Sequence, residues 1–163
     1  MAVVKRSLLV FFIISLAAPA ALAQRGQQTY PNGRFSLWTP ESWTVDAEDA
    51  IDGRLKFTIK DQSSASYRVS WRDGERDLDN IFKKLKAVAK ERGWAVRQKD
   101  ILYVGSQTAR RMVIDVKQSD KISRQMLTWM NAGGRFYMLH GSFPKDDYSR
   151  ALLTKVLQSF KSK

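Results

Sequence analysis

Residues 54–89 read RLKFTIKDQSSASYRVSWRDGERDLDNIFKKLKAVA, and the rhythm of that stretch changes once. In 54–60, Leu55, Phe57 and Ile59 alternate with Arg54, Lys56 and Thr58; in 66–72, Tyr67, Val69 and Trp71 alternate with Arg68 and Ser70. A period of two belongs to a strand with one buried face, so the two runs predict an antiparallel hairpin across Asp61–Ala65. From Leu78 the apolar residues fall instead at Leu78, Ile81, Phe82, Leu85, Val88 and Ala89, the single stripe of a helix. Asp77 is placed to cap its start and Gly93 to end it. A helix with one apolar stripe needs a sheet to lie on, which sets the class of the domain.

Reading outward, Phe35 and Leu37 alternate in RFSLW, an earlier strand. Downstream, Trp94–Val104 is extended and ends at Gly105, and Met112, Ile114 and Val116 alternate with Arg111, Asp115 and Lys117. Residues 122–131 and 135–143 read as a second hairpin turning at Asn131-Ala132-Gly133-Gly134. After Pro144, with Asp146 or Asp147 as cap, Tyr148, Leu152, Val156 and Phe160 form a second amphipathic stripe, flanked by Leu153 and Leu157. The predicted order is βββαββββα, an α+β domain with a mainly antiparallel sheet covered by helices.

The beginning of the chain concerns where the protein works. Basic Lys5 and Arg6 precede the apolar run SLLVFFIISLAA, then Pro19 and Ala21-Leu22-Ala23 before the polar Gln24. This is the pattern of a secretory signal peptide over residues 1–23, cleaved between Ala23 and Gln24. The run is short for a membrane span, which takes about 20 apolar residues; an uncleaved anchor is the competing reading. No Cys follows the cleavage site, so a lipid anchor there is excluded. Residues 24–33 are expected to be a short flexible leader, and 34–163 a single domain large enough for its own core. The mature protein is expected to be soluble and exported, in a periplasm, lumen or extracellular space.

Gly33-Arg34-Phe35-Ser36-Leu37-Trp38-Thr39-Pro40-Glu41-Ser42-Trp43 resembles the opening motif of the PsbP-like superfamily: an aromatic strand, a proline, then a tryptophan. That superfamily includes PsbP, the DcrB-type lipoproteins and the Mog nuclear-transport factors. Gly134-Arg135-Phe136-Tyr137-Met138-Leu139 is similar to a late strand of theirs, and Ser159-Phe160 to the family's terminal Ser-Phe. The likeness runs from about Tyr30 to Phe160. It implies an α/β/α sandwich around an antiparallel sheet, and a non-catalytic binding or accessory role rather than an enzyme. The chain departs from the DcrB-type pattern in lacking the lipidated Cys, and nothing in it matches the extended N-terminal region of PsbP.

The chemistry-bearing residues are few. There is no Cys, which removes thiol catalysis, thiolate metal sites and disulfides, and there is one His, which disfavours zinc and copper. His140 with Ser142 and Asp146 or Asp147 would be a hydrolase triad, but Gly141-Ser142-Phe143-Pro144 is not a nucleophile elbow. A strand histidine is the simpler reading, and no catalytic residue is assigned. Asp46, Glu48, Asp49 and Asp52 before the hairpin, with Asp73, Glu75, Asp77 and Asp79 after it, are half of the 16 acidic residues. The hairpin would bring both sets to one edge, where oxygen donors suit Ca²⁺. The rhythm Asp73-x-Glu75-x-Asp77-x-Asp79 is not an EF-hand, since its sixth position is Leu78 and its twelfth Lys84. Helix capping and loop solvation are the simpler reading of these residues. Trp38, Trp43, Trp71, Trp94 and Trp129 read as core or core-edge aromatics before they read as a stacking platform.

Loss of Lys5 and Arg6 with the leader lowers the basic residues from 28 to 26 against 16 acidic ones, a formal charge of +10. That exceeds the magnitude of about 2–8 that solubility asks of a small domain. Lys83, Lys84, Lys86, Lys90 and Arg92 lie off the helix's apolar stripe, and Arg54, Lys56, Arg68 and Arg72 line the hairpin. Outside the cytoplasm nucleic acid is not the expected partner. The expectation is an accessory domain docking through a basic surface on an acidic protein or membrane-associated complex, with peripheral membrane contact open to it. The alternative is a domain binding Ca²⁺ or a small ligand at the acidic loops.

Overall fold

The structure, a computed structural model, describes residues 26–41, 43–45, 53–59, 65–145 and 150–163. The described elements are β1 (Gln27–Tyr30), β2 (Phe35–Trp38), β3 (Trp43–Val45), β4 (Arg54–Ile59), β5 (Ser66–Asp73), α1 (Leu78–Glu91), β6 (Ala95–Val104), β7 (Gln107–Gln118), β8 (Lys121–Ala132), β9 (Arg135–Pro144), α2 (Arg150–Gln158) and β10 (Lys161–Ser162). Seven strands form one antiparallel sheet in the order β3-β4-β5-β9-β8-β7-β6, and β1, β2 and β10 form a second. The α+β class is as the sequence predicts. The order is richer by three short strands, β1, β3 and β10.

Period-two alternation sorts the large sheet into two faces. On one, Leu55, Phe57, Tyr67, Val69, Trp71, Val113, Met126, Met130, Tyr137, Leu139 and Phe143 meet α2 and the small sheet in the main core. On the other, Met112, Ile114, Val116, Leu127 and Trp129 meet Leu78, Ile81, Phe82 and Leu85 of α1. Asp77 caps α1 as its position predicts, its carboxylate accepting from Asn80 N at 2.9 Å. Trp129 fastens the helix from below, its Nε1 donating to Leu78 O at 3.2 Å. The layers are α1, the seven-stranded sheet, and α2 with the small sheet.

The hairpin of β8 and β9 turns on Gly133 and Gly134, whose φ values of 56° and 73° lie where a Cβ is strained. β9 then runs back between β8 and β5, in register from Ser66↔Ser142 to Asp73↔Arg135. This non-local pairing joins the first hairpin to the later strands.

The first and last described segments meet at one corner. Phe35 of β2 stacks on Phe160 at 5.4 Å, and Tyr137 of β9 packs edge-on to Phe160 at 5.0 Å. The Tyr137 hydroxyl donates to Gly33 O at 2.9 Å. Ser159 Oγ accepts from Trp38 N at 2.9 Å and donates to Val156 O at 2.6 Å. The opening strand, the late strand and the terminal Ser-Phe are thus parts of one packing cluster.

The expectation of a flexible leader over 24–33 needs correction. Residues 27–30 are β1, paired with β2 from Gln27↔Trp38 to Tyr30↔Phe35, with Tyr30 stacked on Phe35 at 5.0 Å. The polar run hides a strand because β1 takes its backbone partners from β2 and buries only Tyr30. Residues 1–23 and the proposed cleavage site lie outside the described residues.

Candidate functional site

α1 lies over β6, β7 and β8, with Phe136 of β9 at its margin. Beside it, the same face of β9, β5 and β4 forms a groove of about 460 Å³. Ser70, Phe136, Met138 and His140 line it from the two central strands, and Ile81 from α1. Around these stand Arg54, Arg68, Arg72 and Arg76, and among the described residues no carboxylate lines it.

The strand register places these side chains. Arg54 faces Ser70 across β4 and β5, and Lys56 faces Arg68. Across β5 and β9, Arg68 faces His140, Ser70 faces Met138, and Arg72 faces Phe136. Side chains directly opposite in an antiparallel pair have Cβ atoms about 4.5–5.5 Å apart, and like charges there weaken the sheet. Lys56 opposite Arg68 is such a pair. Ser70 is therefore the midpoint of a basic lattice: Arg54 stands across from it, and Arg68 and Arg72 lie two residues to either side, about 7 Å along the strand. Arg76 is held on the loop before α1 by Asn131, whose Oδ1 accepts from Arg76 N at 3.1 Å and whose Nδ2 donates to Arg76 O at 2.8 Å. Among the described residues no carboxylate forms an ion pair with Arg68, Arg72 or Arg76.

The positive field is visible in the histidine. Burial, and then the neighbouring Arg68 charge, hold the His140 pKa down to about 4 from 6.5, so the ring is neutral at pH 7. Its Nε2 lies 3.2 Å from Gln125 Oε1, an acceptor for the tautomer protonated on Nε2. Ser142 hydrogen-bonds elsewhere, its Oγ 3.2 Å from Ser123 Oγ. Asp146 and Asp147 lie outside the described residues.

The five basic residues predicted on α1 are all exposed but do not share one patch. At 3.6 residues per turn, Lys83, Lys86 and Lys90 fall on the flank of Asp79, whose carboxylate pairs with Arg110 of β7 at 2.5 Å. Lys84 falls on the flank of Ile81, beside the groove. Arg92 stacks over the Trp94 ring at 5.3 Å. Of the hairpin's basic residues, Arg54, Arg68 and Arg72 converge on the groove. Arg76 follows Arg72 by four residues and is held there by Asn131 of β8; Met138 and His140 join them only because β9 is the neighbour of β5, a pairing with no local signal in the sequence.

Asp73, Asp77 and Asp79 each face a different partner: Arg135 at 2.6 Å, the start of α1, and Arg110. Glu75 is exposed. Asp46, Glu48, Asp49 and Asp52 lie outside the described residues. Among the described residues no three His, Asp or Glu side chains stand close enough to hold a metal ion. Trp43, Trp71 and Trp129 are buried, while Trp38 lies under the Lys155 ammonium at 4.1 Å. On the opposite face of the sheet, buried Asp115 accepts from Arg124 at 2.7 Å and Arg97 at 2.8 Å. The Arg124 hydrogen bond, with that of Arg97, outweighs burial and holds its pKa at about 2.

This architecture is a PsbP-like fold. The chain superposes on cyanobacterial PsbP (CyanoP) from Synechocystis sp. PCC 6803 with a TM-score of 0.65 and 13% identity, covering 91% of this chain and 99% of that one. LpqN of Mycobacterium tuberculosis, involved in cell envelope biogenesis, matches with a TM-score of 0.61 and 11% identity over 78% of this chain and 82% of its own. A protein of Bacteroides thetaiotaomicron VPI-5482 gives 0.64 and 16% identity; 86% of this chain is covered, but only 49% of that protein, about half its length. No protein-family model matches the sequence, and no curated protein matches it. Among the described residues no helix is long and apolar enough to cross a membrane.

Proposed function

We propose that the chain is an exported, non-catalytic accessory domain that binds an anionic partner, an acidic protein or a membrane-associated complex, through the basic face of β4 and β5 beside α1. One observation carries this reading: four arginines surround a groove that, among the described residues, no carboxylate lines. A solvated basic surface has no reason to gather guanidinium groups around a cavity with apolar side chains in it. Two further features support it. The N-terminal residues carry the signal-peptide pattern. The neighbours in fold include a protein of cell envelope biogenesis and a cyanobacterial PsbP.

The test is capture of tagged protein crosslinked in its host, at low and high salt. Wild type is compared with an R68E/R72E double reversal and with a K83E/K86E/K90E reversal on the far flank of α1. The expected result is one enriched partner, lost at high salt and in the arginine reversal and retained in the lysine reversal. A partner held equally by the arginine reversal would refute the assignment of this face.

A further inference from the structure

The geometry points to a narrower role for the groove: it binds an organic phosphate, with the phosphate over Ser70 and the organic part along Met138, Phe136 and Ile81. This rests on the proposed role of the basic face and specifies the chemistry that the face recognises.

Arg54 across from Ser70, and Arg68 and Arg72 two residues to either side of it, bring three arginines to one region of the sheet, and all three line the groove. Arg76 adds a fourth from the loop, its backbone fixed by Asn131. A guanidinium presents its donors as a planar fork that pairs with two oxygens of an anion. A carboxylate has two oxygens in one plane and a single charge, so it saturates one or two such forks. A tetrahedral phosphate monoester carries a charge of about −1.5 to −2 and three terminal oxygens pointing in different directions, which matches forks arriving from several sides. The Ser70 hydroxyl, which bonds no other described residue, lies beneath that point as a further donor.

The remaining surface specifies the rest of the ligand. A volume of about 460 Å³ is within the range of small-molecule sites and far larger than one phosphate needs. Met138, Phe136 and Ile81 border the arginines on the α1 side, and beside them His140 is uncharged. One wall is apolar and the other basic, so the matching molecule is anionic at one end and apolar at the other. A soluble phosphate ester and a phosphomonoester lipid headgroup share this chemistry.

Calorimetric titration of the mature protein with phenyl phosphate and with inorganic phosphate tests the site, and flotation with phosphatidylcholine vesicles containing phosphatidic acid separates the two sources. Phenyl phosphate is expected to bind saturably and more tightly than inorganic phosphate. R68Q and R72Q, checked by thermal melting to be folded, should each weaken it about tenfold. Flotation that phenyl phosphate displaces assigns the ligand to the lipid; calorimetric binding without flotation assigns it to a soluble ester. The inference is overturned if neither probe binds, if R68Q and R72Q leave binding unchanged, or if phenyl phosphate fails to displace the vesicles. Partner capture that stays sensitive to the arginine reversal while every phosphate probe fails would remove this inference alone. Capture indifferent to that reversal would remove the docking assignment instead.

Discussion

Replacing His140 with glutamine should abolish most of the loss of stability that the protein suffers between pH 6.5 and pH 4. The unfolded imidazole takes its proton near 6.5, while the folded one resists until about 4, first because it is buried and then because Arg68 stands opposite. Within that window the unfolded chain holds more protons, so stability falls as the pH falls, and the loss levels off below the folded value. Each unit of separation is worth about 1.36 kcal/mol, which puts the full loss at about 3 kcal/mol. His140 is the only histidine in the chain, so no other imidazole contributes there. In H140Q the side-chain amide keeps a donor for Gln125 Oε1 and titrates nowhere in the range. Urea unfolding at pH 7, 6, 5 and 4 reads the effect. With a slope of about 2 kcal/mol per molar urea, the wild-type midpoint should drop by about 1.5 M more than that of the variant. Equal drops in the two proteins would refute the description of the groove as a desolvated, electropositive floor.

Other consequences are as direct. R68Q should raise the His140 pKa, read by proton NMR of the imidazole, because the second cause of its depression is gone. D115N leaves Arg97 and Arg124 without their shared carboxylate. Since Arg97 is 55% exposed and recovers hydration, a loss of about 2 kcal/mol in chemical unfolding is expected, short of the 3–5 seen for fully buried pairs. The same substitution should abolish the separate acid limb between 3.8 and about 2, where protonation of Asp115 costs the native state its two partners. Y137F forfeits the hydrogen bond to Gly33 O and should cost about 1 kcal/mol in thermal or urea unfolding. N131A frees the backbone of Arg76 and should weaken phenyl phosphate binding, by less than R68Q does, with a melting temperature close to wild type.

Much of the fold was legible because it is written in local periods. The alternation in 54–60 and 66–72, the stripe from Leu78 to Ala89, and the Gly133-Gly134 turn each specify their element within a few residues. The short strands were hidden for a physical reason. β3 has three residues with only Trp43 buried, and β10 has two, so neither repeats a pattern. Both are made by the partners they find, β4 and β2. The site divides in the same way. Arg54, Arg68 and Arg72 were marked by their outward parity on the hairpin. The floor of Met138 and His140 came beside them only through the pairing of β5 with β9, separated by more than sixty residues of sequence. The α1 lysines were the converse case: five basic residues in one short segment suggest one patch, but the helix turns Lys84 to one flank and Lys83, Lys86 and Lys90 to the other.

The central claim is that the face bearing Arg72 meets the partner. A photoreactive amino acid placed at Lys84, exposed on the flank of α1 beside the groove, and separately at Tyr103, which is 73% exposed on the distant edge strand β6, tests it in living cells with every arginine of the groove intact. A discrete crosslinked adduct is expected from position 84 and none from position 103. An adduct from position 103 with none from position 84 would contradict the claim.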